Sequence, residues 1–256
     1  MTTLLIDADS LVFTAALAAQ KVIPWDDDIY TVHGDLGDAK RIFASQVATI
    51  TEAAPGDPEV ILCFSCPTRK YFRHDIYPAY KAHRGGATPP PILRKDLFDW
   101  ASKDDLSYTR LKLEADDIIG ILATSNSIIP GDKIIASVDK DLKQIPGKHL
   151  NPSKLKEGVY EVSPEEARQQ LWMQVLTGDA VDNYPGCPGV GPVTAQKILD
   201  KAGDDPLPNV RAAYMKAGLT DADLVQMVNV ARILTVKTYN FKRKEPILWQ
   251  MPSTAP

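Results

Sequence analysis

Thr177-Gly-Asp-Ala-Val-Asp-Asn-Tyr-Pro-Gly-Cys-Pro-Gly-Val-Gly-Pro-Val-Thr-Ala-Gln-Lys197 is the most constrained stretch of this 256-residue chain. Asp179 and Asp182 are three residues apart, so at helical spacing both can face one site. Gly186, Gly189 and Gly191 then form a tight connection into a helix starting near Val193. Backbone N–H groups at such a turn and helix start suit a phosphate of a nucleic-acid strand. Glycine lets the backbone approach where a side chain would block it. A plain helix-turn-helix hairpin is the alternative, and it leaves the two neighbouring acids without a role.

Six more acids lie upstream in three groups: Asp7; Glu114, Asp116 and Asp117; Asp139 and Asp141. Most of them end an apolar run, where a strand delivers its last residue to a shared cleft. Ligands of open α/β sheets bind beyond those carboxyl ends. Gathered together, such acids repel by about 4 kcal/mol per close pair at an effective dielectric near ~20. Hard divalent cations remove that penalty. Two of them about 4 Å apart can activate a water and stabilise the leaving oxygen of a phosphodiester. Each group also has a plainer reading. Glu114, Asp116 and Asp117 can compensate a helix dipole, and Asp139 and Asp141 can be a solvated turn.

The apolar runs predict strands at Leu4 to Asp7, Val60 to Phe64, Tyr108 to Leu111 and Lys133 to Val138, with a peripheral one at Gly158 to Val162. Leu36 to Ala54 reads as an amphipathic helix, with Ala39, Ile42, Phe43, Val47 and Ile50 on one face. Further helices are expected over Leu97 to Lys103 and Glu114 to Asn126. Ser163-Pro164-Glu165-Glu166 is a capping box that starts another, ending near Leu176. Alternating strands and helices indicate an α/β fold with a mostly parallel central sheet flanked by helices. Two regions are expected: residues 1–162 as the α/β part, and 163–256 as a mostly helical part.

The formal net charge is −4, yet residues 68–95 carry seven Lys or Arg and one acid, Asp75. Distribution matters more than the sum for a polyanionic partner. Gly85-Gly86 and Pro89-Pro90-Pro91 interrupt that segment. Lys237, Lys242, Arg243 and Lys244 are interleaved with Tyr239 and Phe241, a second basic stretch. Cys63, Cys66 and Cys187 make no disulfide framework, and no apolar stretch approaches the roughly 20 residues of a membrane span. With no secretory leader visible, a reducing cytoplasm is the expected compartment. His33 and His149 read as ordinary surface residues.

Gly-Asp-x-x-Asp-Asn followed by Pro-Gly-x-x-Gly-x-Gly-x-x-Thr-Ala resembles the signature of the flap endonuclease family of 5′-nucleases. Phe72-Arg73, Tyr80-Lys-Ala-x-Arg84, Glu114-x-Asp-Asp117 and Ser137-x-Asp-Lys-Asp141 follow in that family's order. The closing stretch, Gly218-Leu-Thr-Asp through Ala231-Arg-Ile-Leu to Leu248-Trp249, is similar to exonucleases of short-tailed bacteriophages. The resemblance implies a PIN-like nuclease fold with a helical arch over about residues 68–105 and a C-terminal helix-turn-helix lobe. It implies a 5′→3′ exodeoxyribonuclease with flap-endonuclease and RNase H-like activity, working on DNA 5′ ends, flaps and RNA-primed ends. Two-metal hydrolysis would leave a 5′-phosphate and a 3′-hydroxyl, with Mg²⁺ as the cofactor, Mn²⁺ as a substitute and K⁺ at the glycine hairpin.

Family precedent gives one metal to Asp7, Glu114 and Asp116, and the second to Asp139, Asp141, Asp179 and Asp182, with Asp117 near both. Lys81 and Arg84 would act on the scissile phosphate. Arg73, Tyr80 (stacking on a base), Gly186, Gly189, Gly191, Thr194 and Lys197 would contact DNA. Many relatives carry an Asp just after the Phe that ends the second strand, where this chain has Ser65. Asp9 takes a secondary place. Asp7-Ala-Asp9 with Gly178-Asp-x-x-Asp182 also mimics a haloacid-dehalogenase-type phosphatase, and a DNA-binding protein with a degenerate site is a third reading.

Overall fold

Leu4, Leu5 and Ile6 are all fully buried because β1 (Thr2–Asp7) lies at the centre of a sheet covered on both faces. The structure is a computed structural model and describes residues 2–27, 29–85 and 89–252, with only the backbone of Arg84 and Gly85. Its main sheet adds β4 (Glu59–Phe64) and β5 (Ser107–Thr109) on one side of β1. On the other side come β6 (Asp132–Ala136), β7 (Gly147–Leu150) and β8 (Val159–Val162). The order is β5-β4-β1-β6-β7-β8, parallel throughout except where β8 returns antiparallel to β7. Asp7 pairs with Cys63 and Ile6 with Ala136, so three adjacent strands end together.

Side chains alternate across the sheet. Leu4 and Ile6 face a core built with α1 (Ala8–Ala18), α2 (Leu36–Ala53) and α4 (Arg94–Ala101), where Leu11, Phe43, Ile50 and Leu97 are buried. Leu5, Cys63 and Ile135 face α5 (Ala115–Ala123) on the other side. Asp35 caps α2 through the Asp38 N–H, and the expected face of that helix points inward. The predicted elements over 97–103, 108–111, 114–126 and 133–138 are present with ends shifted by a few residues.

Four helices form the C-terminal part: α6 (Pro164–Thr177), α7 (Pro192–Asp200), α8 (Leu207–Lys216) and α9 (Asp221–Ala231). They enclose their own core of Val175, Leu199, Val210, Tyr214 and Leu224. The chain then returns, and Ile233, Leu234 and Tyr239 enter the core beneath α5. A hairpin of β2 (Gln20–Asp26) and β3 (Ile29–Gly34) was not anticipated. Nearly every side chain along it is exposed, Trp25 and Tyr30 included, so it carries no inward-outward alternation to read. His149 is a correction: it is buried, its ring bonded to the Ile145 carbonyl at 2.8 Å and stacked on Tyr160. Between α4 and β4 lie α3 (Phe72–Ile76) and a helical turn at Ala82–Gly85. The expected break at Gly85-Gly86 falls partly outside the described residues.

Candidate metal centre

The ends of β1, β4 and β6 open into a cleft of about 510 Å³. Asp7 enters it from β1, Ser65 from just beyond β4, Asp139 from beyond β6, and Glu114 and Asp116 from the start of α5. Asp9, in the first turn of α1, lines the same cleft. Asp7 is buried, and Ser137 donates its hydroxyl to Asp7 Oδ2 at 2.9 Å. The same hydroxyl oxygen accepts the Asp139 N–H at 3.0 Å, which ties the two strand ends together.

Burial pushes the Asp7 carboxyl up to about 7, helped by the charges of Asp9 and Asp139. Asp116 is pushed well above the carboxylate range by burial first, then by Asp7 and Asp139. Burial also raises Asp9, against the pull of Ser65's hydroxyl and N–H. Glu114 goes the other way. Burial alone would raise it, but the charges of Lys81 and Arg73 outweigh that and hold it low.

A second group of acids lies alongside. Asp141 is pushed up to about 7 by burial and by the charges of Asp139 and Asp179, and its Oδ1 is buried without a hydrogen-bond partner. Asp179 is buried and caps the turn after α6, its Oδ1 accepting the N–H groups of Val181 at 2.6 Å and Asp182 at 3.0 Å. Lys81 stands between the groups. Its ammonium pairs with Glu114 and lies 3.3 Å from Asp182, and its N–H donates to the Asp182 carbonyl at 2.8 Å. Its backbone is left-handed, φ 53°.

An all-oxygen donor set, buried or half-buried apart from the exposed Asp139 and with one orphaned oxygen, fits hard divalent cations. As the side chains stand, no three His, Cys, Asp or Glu groups among the described residues converge closely enough to hold an ion. Without a cation between them like charges keep apart, and protein donors such as Ser137, Tyr80 and Lys81 take several of their oxygens.

Four sequence expectations need revision. Asp117 is fully buried, and Arg73 takes its carboxylate at 2.6 and 2.8 Å while the Leu234 N–H approaches at 3.2 Å, so it faces away from the cleft. Arg73 is itself buried and also bonds Glu114 at 2.9 Å and the carbonyls of Val230 and Arg232. It clamps α3, α5 and the end of α9 together and is not exposed to a DNA strand. Tyr80 is buried, with its hydroxyl 2.9 Å from Glu114 and 2.7 Å from Asp182, so its ring is not available for stacking on a base. Gly186 is buried at φ 64°, packed on Gly178 so closely that a Cβ would strike that residue's backbone. Its role is to let two backbones meet.

Gly189, Gly191, Thr194 and Lys197 are exposed around the start of α7, with open space beside both glycines. Asp179 and Asp182 lie across that hairpin from them, the Asp179–Tyr184 bridge holding its base. The Arg84 side chain lies outside the described residues. Asp9 is the site residue that sequence reasoning underweighted, and its position two residues past Asp7 was the available signal.

Residues 2–171 match the family model of the 5′–3′ exonuclease N-terminal, resolvase-like domain. The chain belongs to the 5′→3′ exonuclease family. Its relatives in that family include the exonuclease of Escherichia phage T7, 28% identical with 96% of this chain and 93% of the relative covered. DNA polymerase I of Rhizobium leguminosarum is 33% identical over 64% of this chain, which spans only 17% of that polymerase. Among solved structures, the bacteriophage T5 flap endonuclease, in a pseudo-enzyme–product complex with DNA and metal ions, shares the fold. Its TM-score is 0.62 at 13% identity, with 90% of this chain and 91% of that one covered. The family membership makes this chain a nuclease, and neither the phosphatase nor the degenerate-site reading finds support beside it. No helix among the described residues is long and apolar enough to cross a membrane.

Proposed function

We propose that this 5′→3′ exonuclease hydrolyses phosphodiesters at DNA 5′ ends, at flaps and at RNA-primed ends, leaving a 5′-phosphate and a 3′-hydroxyl. The observation that carries the reading is the cleft at the strand ends, where Asp7, Asp116 and Asp139 face one another and burial raises the first two. Such carboxylates are costly unless a cation neutralises them. Asp7, Glu114 and Asp116 would hold one divalent ion, and Asp139, Asp141, Asp179 and Asp182 the second. Bound there, Mg²⁺ or Mn²⁺ would supply Lewis-acid polarisation of the phosphate and the attacking water. The T5 flap endonuclease, crystallised with DNA and metal ions, supports the same use of this fold.

Lys81, which lies between the two acid groups, would meet the scissile phosphate as charge develops. Arg84, three residues on, would assist. Gly189 and Gly191 with Thr194 and Lys197 would hold a phosphate of the duplex, K⁺ assisting, through backbone groups rather than long side chains. A role in phage DNA replication, primer removal or DNA degradation in the host cytoplasm follows from the likeness to the T7 exonuclease. The test is cleavage of end-labelled duplex, nicked, flapped and RNA-primed substrates with Mg²⁺ and with EDTA. Mg²⁺-dependent release from the 5′ end is expected, and cleavage that persists in EDTA would overturn the reading.

A further inference from the structure

We propose that Asp9 is a ligand to the divalent ion held beside Asp7, supplying from α1 the carboxylate that the end of β4 does not provide. The proposal rests on the metal-centre reading and adds a residue to it. β1 and β4 run parallel with Asp7 opposite Cys63, so the residues just past each strand border the same part of the cleft. Past β4 that residue is Ser65, whose hydroxyl accepts the Ala115 N–H at 2.9 Å and also acts on the Asp9 carboxylate. A serine there offers no anionic oxygen.

The Asp9 carboxylate borders that side of the cleft. Its Oδ2 accepts the Ser65 N–H at 3.3 Å, which places the charge directly over the end of β4. The short serine leaves room for it, and the first turn of α1 fixes its direction relative to Asp7. The neighbouring Glu114 shows what is missing at Asp9. Glu114 is neutralised by Arg73 and Lys81 at contact distance, whereas the cation that acts on Asp9, Arg69 in the same cleft, makes no ion pair with it. An anion lining a carboxylate cleft with no cation in contact with it can take one that comes from solution.

The test is calorimetric titration of Mn²⁺ into the full chain without DNA, for wild type, Asp9→Asn, Ser65→Asp and the double variant. Asparagine keeps an oxygen for the Ser65 N–H, so a purely structural Asp9 predicts unchanged binding. The proposal predicts that Asp9→Asn weakens one of two Mn²⁺ sites by about tenfold or more. It predicts that adding Ser65→Asp restores most of that affinity, because the carboxylate returns from the other strand. Wild-type affinity in Asp9→Asn, or a loss that Ser65→Asp does not reverse, overturns the proposal. If the wild-type chain binds no Mn²⁺, the metal-centre reading itself falls, an outcome distinct from either.

Discussion

The acid cleft and the glycine connection, tens of residues apart in sequence, solve opposite problems with opposite means. In and beside the cleft the proposed function needs charge, so carboxylates are delivered from strand ends and a helix start into partial burial, where Asp7 and the neighbouring Asp141 are pushed up to about 7. At the start of α7, the proposed function needs access, so side chains are absent from Gly189 and Gly191 and nothing lies within 4 Å of where a Cβ would be. The first region costs folding stability that a cation can offset. The second costs backbone entropy and leaves folding otherwise untouched. Chemistry and grip should therefore separate cleanly by mutation.

The largest effect is expected in the cleft. Asp139→Ala should cut single-turnover cleavage by more than about a hundredfold while duplex binding in Ca²⁺ stays near wild type. Loss confined to binding would show that the acids hold DNA rather than serve the chemical step. Next comes Arg73, which ties the start of α5 to the end of α9 through Asp117, Glu114 and two carbonyls. Arg73→Met should lower unfolding free energy by about 3 to 5 kcal/mol, since it strands buried carboxylates. A folded variant of normal stability with weakened DNA binding would instead restore Arg73 as a DNA contact.

Smaller effects sharpen the boundary between the regions. Lys81→Ala should slow the chemical step by more than about tenfold and weaken binding only modestly. If its whole loss lies in binding, Lys81 belongs with the grip. Gly191→Val is the mildest. At φ −87° valine is tolerated, and its side chain meets open space, so the fold should survive. Duplex affinity should fall severalfold and its salt slope flatten by about one phosphate contact, with the rate at saturation unchanged. Normal duplex binding by folded Gly191→Val would remove the glycine connection from the grip.

Much of this was legible in the residues because strand-end acids announce themselves: an apolar run stops and a carboxylate follows, as at Ile6-Asp7 and again before Asp139. The parallel sheet followed from the same runs. Direction was not legible. Arg73 and Tyr80 stand in a basic, aromatic segment that reads as a DNA face, yet both turn inward because Glu114, Asp117 and Asp182 come from distant parts of the chain to meet them. Gly186 looks like its neighbours in sequence and differs only because Gly178 packs against it. Asp9 depended on a long-range fact as well, the contact with Ser65 that no local pattern encodes.

The central claim is that the cleft is built from acids whose mutual cost a divalent cation removes. Acids held above their usual range keep their protons in the folded chain, so metal-free stability should fall as pH rises from about 4 to about 7. The direct measurement is thermal unfolding of wild type and Asp116→Asn at pH 5 and pH 8, in EDTA and in Mg²⁺. Wild type should be more stable at pH 5 than at pH 8 in EDTA and should gain stability at pH 8 on adding Mg²⁺. Asp116→Asn should be more stable than wild type in EDTA at pH 8 and should lose most of the Mg²⁺ gain. An Asp116→Asn protein that is less stable in EDTA, with the Mg²⁺ gain intact, would contradict the account.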